Sequence, residues 1–413
     1  MSRYLNRIFD ISSKYLGQEF STSEISELRN LSNHLVDCDI DHTVKEFSRI
    51  YIEFVKRKYQ SSRKKSQIDR FVDSPSKSVK GIWGDCLNVF QSMQSESIDL
   101  LVTSPPYYNA REYSTWKDLD AYLEDMSKII QESYRVLDNH KAFVFNVGDI
   151  TGNDNRHTSS TWGARRIPLG AYFIKIFEDV GYRFVDDFIW DKGQVESQRH
   201  KNGNTPYPFY QYPLNCYEHI LVFFKHRLDQ TRYPCPVCGC LKVNGNAYSG
   251  VGIKSWECKN LECFERSKAN RGKRFSLRSL MMENMKTNQI ESDFVAKWRR
   301  DIVPINPVIK INCKGDNILG HTAPFPPDVP NFAIRMYSGK GDVVVDPFAG
   351  SFTTPIEAVK LERQGIGIEL NRDMFRESIT SNIHKHELGL QETSWQTKTK
   401  SKSPAYLEKC TLP

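Results

Sequence analysis

A serine, two prolines and two tyrosines follow a short apolar run in the stretch TSPPYYN, residues 103–109. Two consecutive prolines remove two backbone donors and fix φ near about −65°, so neither a helix nor a strand ladder can continue through them. The apolar residues 98–102 in front of them predict a strand. We therefore expect a rigid loop at the carboxyl end of a strand, where open α/β sheets bind ligands. The alternative is a proline-rich surface turn without a function.

A second candidate binding loop lies in DVVVDPFAGSFTT, residues 342–354. The pattern predicts a buried strand, a tight turn and the start of a helix, and the small residues Ala349, Gly350 and Ser351 would let a ligand approach the backbone closely. Glu369 ends the next predicted strand about 20 residues further on, where a carboxylate can bind a ribose diol. Together these features indicate half of a nucleotide-cofactor site.

Four cysteines have a spacing that suits a metal ion. Cys235-x2-Cys238 and Cys258-x4-Cys263 follow the layout of a zinc ribbon, although the second pair departs from the commonest spacing. Cys240 could replace one of the four, and the alternative is a set of ordinary buried thiols. The spacing favours a structural Zn²⁺ that folds a module too small to hold itself together.

These candidate sites need a scaffold. From about residue 79 the pattern alternates between strand and helix, which indicates a parallel sheet. Candidate strands lie at 98–102, 142–147, 186–190, 220–224 and 343–345, and candidate helices lie around 118–136, 167–180 and 354–363. Residues 1–60 have the apolar spacing of a small helical module, and residues 228–300 interrupt the alternation as an insertion.

The 413 residues are 39% hydrophobic and 12% aromatic, which is typical of a globular chain rather than a disordered one. Two basic runs, at 56–65 and 266–278, are either solvated faces or contacts for a polyanion. No apolar stretch is long enough to span a membrane, and the first residues lack a signal-peptide core. We therefore expect a cytoplasmic protein without a membrane partner, whose ten cysteines stay reduced.

With their flanks, the two loops resemble those of S-adenosylmethionine-dependent DNA amino-methyltransferases of restriction–modification systems. The flanks are GDCLNVFQSMQSESIDLLVTSPPY and GHTAPFPPDVPNFAIRMYSGKGDVVVDPFAG, and the resemblance covers roughly residues 79–385. Within that family the chain is similar to the permuted beta group, in which the catalytic loop precedes the cofactor loop. The resemblance implies an α/β fold: a circularly permuted Rossmann-like methyltransferase sheet with flanking helices, an N-terminal helical module and an inserted zinc-ribbon-like module.

The resemblance also divides the chain and names its partners. The expected segments are a helical module with a basic linker (1–78), a catalytic half (79–227), a zinc-binding and target-recognition insert (228–300), a cofactor-binding half (301–390) and a polar tail (391–413). Double-stranded DNA is the implied substrate, with phosphates contacted by KANRGKRFSLR in the insert. A cognate restriction endonuclease acting on the same site is an implied partner.

By position, the resemblance assigns S-adenosylmethionine to the second loop. The residues expected to surround its methionine part are Asp346, Phe348, Ala349, Gly350 and Ser351; Glu369 would bind the ribose hydroxyls, and Asp85, His321 and Phe325 would lie near the cofactor. The family usually reads G-S-G-T-T where this chain has Phe352 in place of the second glycine. A phenylalanine is expected to exclude a positive φ there, which would reshape the loop or weaken binding. The alternative is that its ring packs beneath the loop without a functional effect.

The first loop then has a chemical interpretation. An exocyclic amine is a poor nucleophile because its lone pair is delocalised into the base, so a site that methylates it must accept its N–H hydrogens. Ser104 Oγ and the Pro105 carbonyl could accept them, with Pro106 keeping the loop rigid. Tyr107 offers a ring for a base that has left the duplex, whereas Tyr108 is expected to pack in the core.

Ser104, the residue before the two prolines, bears on which base is methylated. In the family, Asp there usually accompanies adenine N6 methylation and Ser usually accompanies cytosine N4 methylation, so Ser104 favours cytosine N4. Adenine N6 methylation is the near alternative. A rival of another class is an inactive methyltransferase-like protein that binds DNA through its zinc ribbon, which Phe352 suggests. A small-molecule or protein methyltransferase fits less well, because the basic runs and zinc module would be superfluous.

Overall fold

The computed structural model describes residues 4–60, 64–76, 78–108, 116–151, 166–193, 215–263, 270–284, 288–308 and 326–377. His321 and Phe325, the polar tail and parts of both basic runs lie outside these residues. Among the described helices, none is both long and apolar enough to cross a lipid bilayer.

Helices and strands make up most of the described residues. The helices are α1 (Tyr4–Glu19), α2 (Thr22–Ser32), α3 (Ile40–Lys56), α4 (Gln67–Asp73), α5 (Cys86–Ser92), α6 (Leu119–Val136), α7 (Leu169–Val180), α8 (Leu277–Asn284), α9 (Ser292–Lys297), α10 (Asp328–Tyr337), α11 (Thr353–Lys360) and α12 (Arg372–Glu377). The strands are β1 (Lys80–Trp83), β2 (Ile98–Thr103), β3 (Leu137–Val147), β4 (Ile150–Thr151), β5 (Arg166–Ile167), β6 (Arg183–Asp191), β7 (Tyr217–Phe224), β8 (Val243–Tyr248), β9 (Lys254–Cys258), β10 (Arg274–Ser276), β11 (Ile302–Pro304), β12 (Val343–Asp346) and β13 (Gln364–Glu369).

One large sheet has the strand order β1-β13-β12-β2-β3-β7-β6-β11. Its strands run parallel except for β7, which lies antiparallel between β3 and β6. The predicted strands and the predicted helices between them are confirmed, although β3 begins at Leu137, directly after α6. The strand that leads into the second loop, β12, thus lies beside the strand that leads into the first, β2.

Both faces of the sheet are covered. Leu101 of β2 points into a core formed with α5, α6 and α7, while Leu100 and Val102 point into a second core formed with α10 and α11. Successive side chains of a strand point to opposite faces of the sheet. Because both faces are buried here, the sequence of β2 is a continuous apolar run. The helix α4 also packs in the first core, through Ile68 and Phe71, so the sheet domain begins before the expected boundary at residue 79.

The N-terminal helices and the insert form one unit, not two modules. The helices α1, α2 and α3 share a single buried apolar cluster with the insert, which includes Cys235, Trp256 and Phe275. A separate three-stranded antiparallel sheet, β10-β9-β8, lies within the insert. Each piece is too small for a core of its own, and together they can bury their apolar sides. We call residues 4–59, 227–263 and 270–284 the helix–cysteine unit.

The helix–cysteine unit lies at the amino end of the parallel strands. Lys56 Nζ is 2.8 Å from Asp138 Oδ2 at the start of β3. Arg227 donates from Nε to Glu96 Oε1 at 2.8 Å, just before β2, and its guanidinium lies 3.3 Å from the centroid of the Tyr59 ring. The two candidate loops leave the opposite end of the same sheet, since both follow the carboxyl ends of β2 and β12. A strand of six residues alone spans about 20 Å.

Two expectations from the sequence change with this placement. The insert, which was expected to read the target, lies at the end of the sheet opposite to Ser104. The first basic run is also engaged within the chain: Lys56, Arg57, Lys58 and Lys65 pair with Asp138, Glu27, Glu19 and Asp73. Charges that are already paired contribute little to attracting a polyanion.

Candidate active site

A hydrogen bond joins the two loops that the sequence singled out. The strands β2 and β12 pair in parallel, with Leu100 opposite Val344 and Leu101 opposite Val345. At their carboxyl ends Thr103 donates from Oγ1 to Asp346 Oδ1 at 2.5 Å, and both residues are fully buried. Thr103 was not among the expected site residues. A hydroxyl directly before the proline loop was the signal in the sequence that could have identified it.

The first loop is anchored to the helix α6 at its base. Pro105 is buried, and Ser104, Pro106 and Tyr107 are half-buried. The carbonyl of Pro106 accepts a hydrogen bond from the hydroxyl of Tyr122 on α6, at 3.0 Å. Tyr108 is buried in the core beside α6, as expected. The loop is therefore rigid at its base, with Ser104 partly accessible at the end of β2.

Tyr107 belongs to a charged network that crosses three segments. Its hydroxyl donates to Glu218 Oε2 on β7 at 2.9 Å. Lys192, directly after β6, forms a short ion pair with the other oxygen of that carboxylate. Burial and the negative charge of Glu218 hold the pKa of Tyr107 well above its usual value. Glu218 and Lys192 were not identified from the sequence, although a glutamate beginning an apolar strand was a visible signal.

Asp346 presents an open acceptor. Its Oδ1 accepts from Thr103 and also from the backbone N–H of Phe348, at 3.0 Å. Its Oδ2 is buried and makes no hydrogen bond of good geometry among the described residues, although the nearby Thr354 hydroxyl, itself buried without such a bond, opposes the rise in the pKa of Asp346 that burial causes. Burial raises the pKa of Asp346 to about 6, so the carboxylate is ionised near neutral pH. A buried acceptor without a donor is costly unless a ligand supplies that donor.

Glu369 lies beside the turn of the second loop. Its Oε2 accepts from the backbone N–H of Gly350 at 2.9 Å, and its Oε1 accepts from that of Asn371 at 2.7 Å. Burial raises the pKa of Glu369 above its usual value. Gly350 has a φ of 48°, a conformation that glycine adopts without strain. Since an ionised carboxylate offers about four lone-pair sites, Glu369 can still accept from a diol.

The remaining expected cofactor residues are close by in the fold. Asp85 follows β1, whose Trp83 pairs with Glu369, and it caps α5 by accepting from the N–H of Asn88 at 3.0 Å. Phe348, Ala349 and Ser351 lie in the turn between Asp346 and α11. His321 and Phe325 lie outside the described residues. The ends of β1, β13 and β12 thus bring together acceptors that fit a cofactor with an ammonium group and a ribose diol, as S-adenosylmethionine has.

Phe352 adopts the conformation that it was expected to exclude. Its φ is 61° and its ψ is 26°, in the left-handed region, and its side chain is fully buried. The ring packs edge-on against Phe375, with centroids 5.9 Å apart. A Cβ on Gly367 would lie 2.6 Å from the ring, so Gly367 makes the space that Phe352 fills. The expectation that Phe excludes a positive φ is therefore wrong, the expected packing of the ring beneath the loop is confirmed, and the absence of a functional effect stays a prediction.

The four cysteines expected to bind metal come together. The Sγ atoms of Cys235, Cys238, Cys258 and Cys263 all lie within 4.8 Å of one another, and all four residues are buried. Those of Cys238 and Cys258 are 3.7 Å apart, close to the roughly 3.8 Å edge of a tetrahedron with Zn–S bonds of about 2.3 Å. Cys240 Sγ lies 3.3 Å from Cys238 Sγ, closer than Cys258 Sγ does, so Cys240 stays the alternative ligand that the sequence allowed. This donor set suits a closed, structural Zn²⁺ site.

Comparison with known proteins identifies the family to which the chain belongs. A model of the DNA methylase family N6_N4_Mtase matches residues 98–380. The chain is 35% identical over 369 residues to the type II beta methyltransferase M.BslI of Bacillus sp. (strain NEB-606), covering 89% of this chain. It spans only 34% of the length of that relative. It is 23% identical over 338 residues to the type II methyltransferase M.SmaI of Serratia marcescens, covering 74% of this chain and 91% of that protein.

A solved structure has a similar fold. It is a protein of Thermus thermophilus assigned as a DNA modification methylase, in complex with S-adenosyl-L-methionine. The TM-score is 0.51 and the identity 21%, with 77% of this chain and 99% of that chain covered. At this identity the likeness concerns the α/β methyltransferase fold alone. The family model, which spans more than half of the residues and includes both loops, is decisive: the chain belongs to the DNA methylase family.

Proposed function

We propose that this protein is a site-specific DNA methyltransferase that moves a methyl group from S-adenosylmethionine to the exocyclic N4 amine of a cytosine extruded from duplex DNA. The observation that carries the proposal is the buried hydrogen bond between Thr103 and Asp346. It places a loop of hydrogen-bond acceptors and a loop with an open carboxylate oxygen side by side. Donor and acceptor of a methyl group need this kind of proximity, because orientation accounts for much of the acceleration in group transfer.

Residues of the second loop would hold the cofactor. Asp346 Oδ2 would accept from the ammonium group, and Glu369 would accept from the ribose hydroxyls. The small residues Ala349 and Gly350 would allow the cofactor to lie against the backbone. When bound, S-adenosylmethionine supplies an electrophilic methyl group on a sulfonium.

Residues of the first loop would hold the amine. Ser104 Oγ and the carbonyl of Pro105 would accept its two N–H hydrogens, which favours a pyramidal nitrogen with its lone pair directed at the methyl group. The ring of Tyr107 would stack on the base. A serine hydroxyl is a poor general base, so Ser104 orients the amine, and the proton is lost to solvent after transfer.

The wider arrangement supports three further parts of the proposal. The strand β12 comes near the end of the chain yet lies in the middle of the sheet, which supports a circularly permuted methyltransferase fold. The four cysteines of the helix–cysteine unit would hold one structural Zn²⁺. The names of the relatives support a restriction–modification context, in which duplex DNA is the substrate and a cognate endonuclease cuts the unmethylated site.

Mass analysis of nucleosides from treated DNA tests the proposal. The purified protein should convert cytosine in unmethylated genomic DNA to N4-methylcytosine, because Ser104 begins the catalytic loop. The Ser104→Ala variant should lose most of this activity while its affinity for S-adenosylmethionine, measured by calorimetry, stays near that of the wild type. N6-methyladenine as the product would establish the adenine alternative. Absence of both products, together with absence of cofactor binding, would establish the inactive DNA-binding protein instead.

A further inference from the structure

We propose that Glu218 and Lys192 are positioning residues for the target base, because through the hydroxyl of Tyr107 they fix the plane of the ring on which the base stacks. This inference rests on the proposed function and adds two residues that neither loop contains. Stacking on an aromatic ring stabilises a bound base. That contribution requires a ring that already has the right orientation when the base arrives.

The hydroxyl of Tyr107 donates to Glu218, and the side chain of Ser104 and the backbone N–H of Gly148 also interact with it. Tyr107 follows two prolines, so its backbone is constrained, but its side chain could still rotate about χ1 and χ2. The 2.9 Å hydrogen bond to Glu218 Oε2 removes that freedom. Since burial and the charge of Glu218 keep the hydroxyl protonated, Tyr107 remains a donor near neutral pH and does not act as a base.

Glu218 is itself held from a third segment. It is the second residue of β7, ahead of the buried part of that strand, and pairs in register with Trp190 of β6. Lys192 forms an ion pair with its other oxygen, and the lysine Nζ lies 4.8 Å from the centroid of the Trp190 ring. The side chains of Glu218 and Lys192 are only 14% and 19% exposed. An ion pair so shielded from solvent restrains both partners more than a surface pair does.

Gly148 provides the space for this carboxylate. It follows β3, and a Cβ at this position would lie 2.9 Å from Glu218 Cγ and 3.3 Å from Cδ. Its φ is not positive, so glycine is needed here for room rather than for a special conformation. Three parts of the chain thus converge on the orientation of one tyrosine ring: the end of β3, the start of β7 and the residue after β6.

The ion pair of Glu218 and Lys192 could instead contribute to stability alone, and kinetic measurements separate that role from positioning of the base. In Glu218→Gln the side chain keeps its volume but loses the charge that binds both partners. We expect the turnover number for methyl transfer to unmethylated genomic DNA to fall roughly tenfold, as for loss of a hydrogen bond to a charged acceptor. The KM for S-adenosylmethionine and the thermal midpoint should stay near wild type. Glu362→Gln, which removes one partner of the exposed ion pair with Lys340, is the matched control and should change neither turnover nor KM.

A double-mutant cycle completes the test. Tyr107→Phe keeps the ring but removes the hydroxyl, and it should slow turnover about as much as Glu218→Gln. If both act through one hydrogen bond, the double variant should be no more than about twofold slower than either single variant. Losses that multiply, or a Glu218→Gln variant with wild-type turnover, would overturn the inference while leaving the proposed function standing. A wild-type protein that makes neither methylated nucleoside would overturn the proposed function and this inference with it.

Discussion

At the scale of single residues, Thr103 connects the two halves of the site. Its hydroxyl donates to Asp346, the carboxylate whose other oxygen is open. Burial raises the pKa of Asp346 to about 6, and the hydrogen bond from Thr103 opposes that rise, while the nearby charge of Glu369 adds to it. Binding of an ammonium group requires the ionised form. Affinity for S-adenosylmethionine should therefore weaken as the pH falls through about 6.

Thr103→Val tests this connection because valine has nearly the same shape but no hydroxyl. Without the donor, the pKa of Asp346 should rise further, and the pH at which cofactor affinity is half lost should move upward. Thr103→Ser keeps a hydroxyl and should restore most of the wild-type profile. Titration calorimetry between pH 5 and pH 8 measures the shift. Identical profiles for Thr103→Val and the wild type would show that the hydrogen bond does not tune this carboxylate.

The sequence placed the candidate residues in their strands and loops better than it predicted the contacts between them. Asp346, Gly350 and Glu369 could be placed because one strand–loop–helix–strand unit carries all three, and their separation is local. The contacts of Thr103 and Glu218 could not be predicted, since their partners come from segments far away in the chain. Which strands become neighbours depends on the order of the whole sheet, and no local pattern encodes it.

At the scale of elements, the turn before α11 combines strain and packing. The left-handed conformation of Phe352 costs about 1–2 kcal/mol relative to an ordinary one. Burial of its ring against Phe375 and over Gly367 outweighs this cost, since truncating a buried phenylalanine typically destabilises by about 3–5 kcal/mol. The family's glycine avoids the strain, whereas this chain accepts it and fills the space with a ring.

Two substitutions of Phe352 should have an unusual order of stability. Both Phe352→Ala and Phe352→Gly remove the ring, but only glycine relieves the left-handed strain. Chemical denaturation should therefore find both variants less stable than the wild type, with the glycine variant about 1 kcal/mol more stable than the alanine variant. At an ordinary φ the order would be reversed. An alanine variant at least as stable as the glycine variant would mean that the positive φ is not maintained.

At the scale of the whole molecule, the helix–cysteine unit supports one end of the sheet while the candidate site occupies the other. Two predicted modules proved to be a single unit, because the burial of apolar surface, which the sequence pattern marks correctly, does not say which surfaces meet. The sequence alone suggested that the insert would read the target. It lies at the amino end of β2 and β3, away from the candidate site, and we expect its main contribution to be to stability.

Substitution of a cluster cysteine separates a role of the insert in stability from a role in DNA recognition. Metal analysis of the purified protein should approach one zinc per chain, and Cys235→Ser should lower both the zinc content and the thermal midpoint, because metal binding in such units is also folding free energy. Below its new midpoint the variant should still bind S-adenosylmethionine and methylate the same DNA sequence. Cys38→Ser, outside the cluster, is the control and should keep its zinc. A metal-free wild type would make the cysteines ordinary core residues, and a changed target sequence would return DNA reading to the insert.

The shared apolar cluster of α1, α2 and α3 with the insert has a consequence for synthesis on the ribosome. These helices emerge early, but the residues that cover their apolar sides, such as Trp256 and Phe275, are translated much later. At about 5–20 residues per second the delay is on the order of tens of seconds. The strand β1 waits longer still, since its neighbour in the sheet, β13, follows every other strand of that sheet in the chain. The apolar sides of α1, α2 and α3 thus stay uncovered in a nascent chain until the insert has been translated.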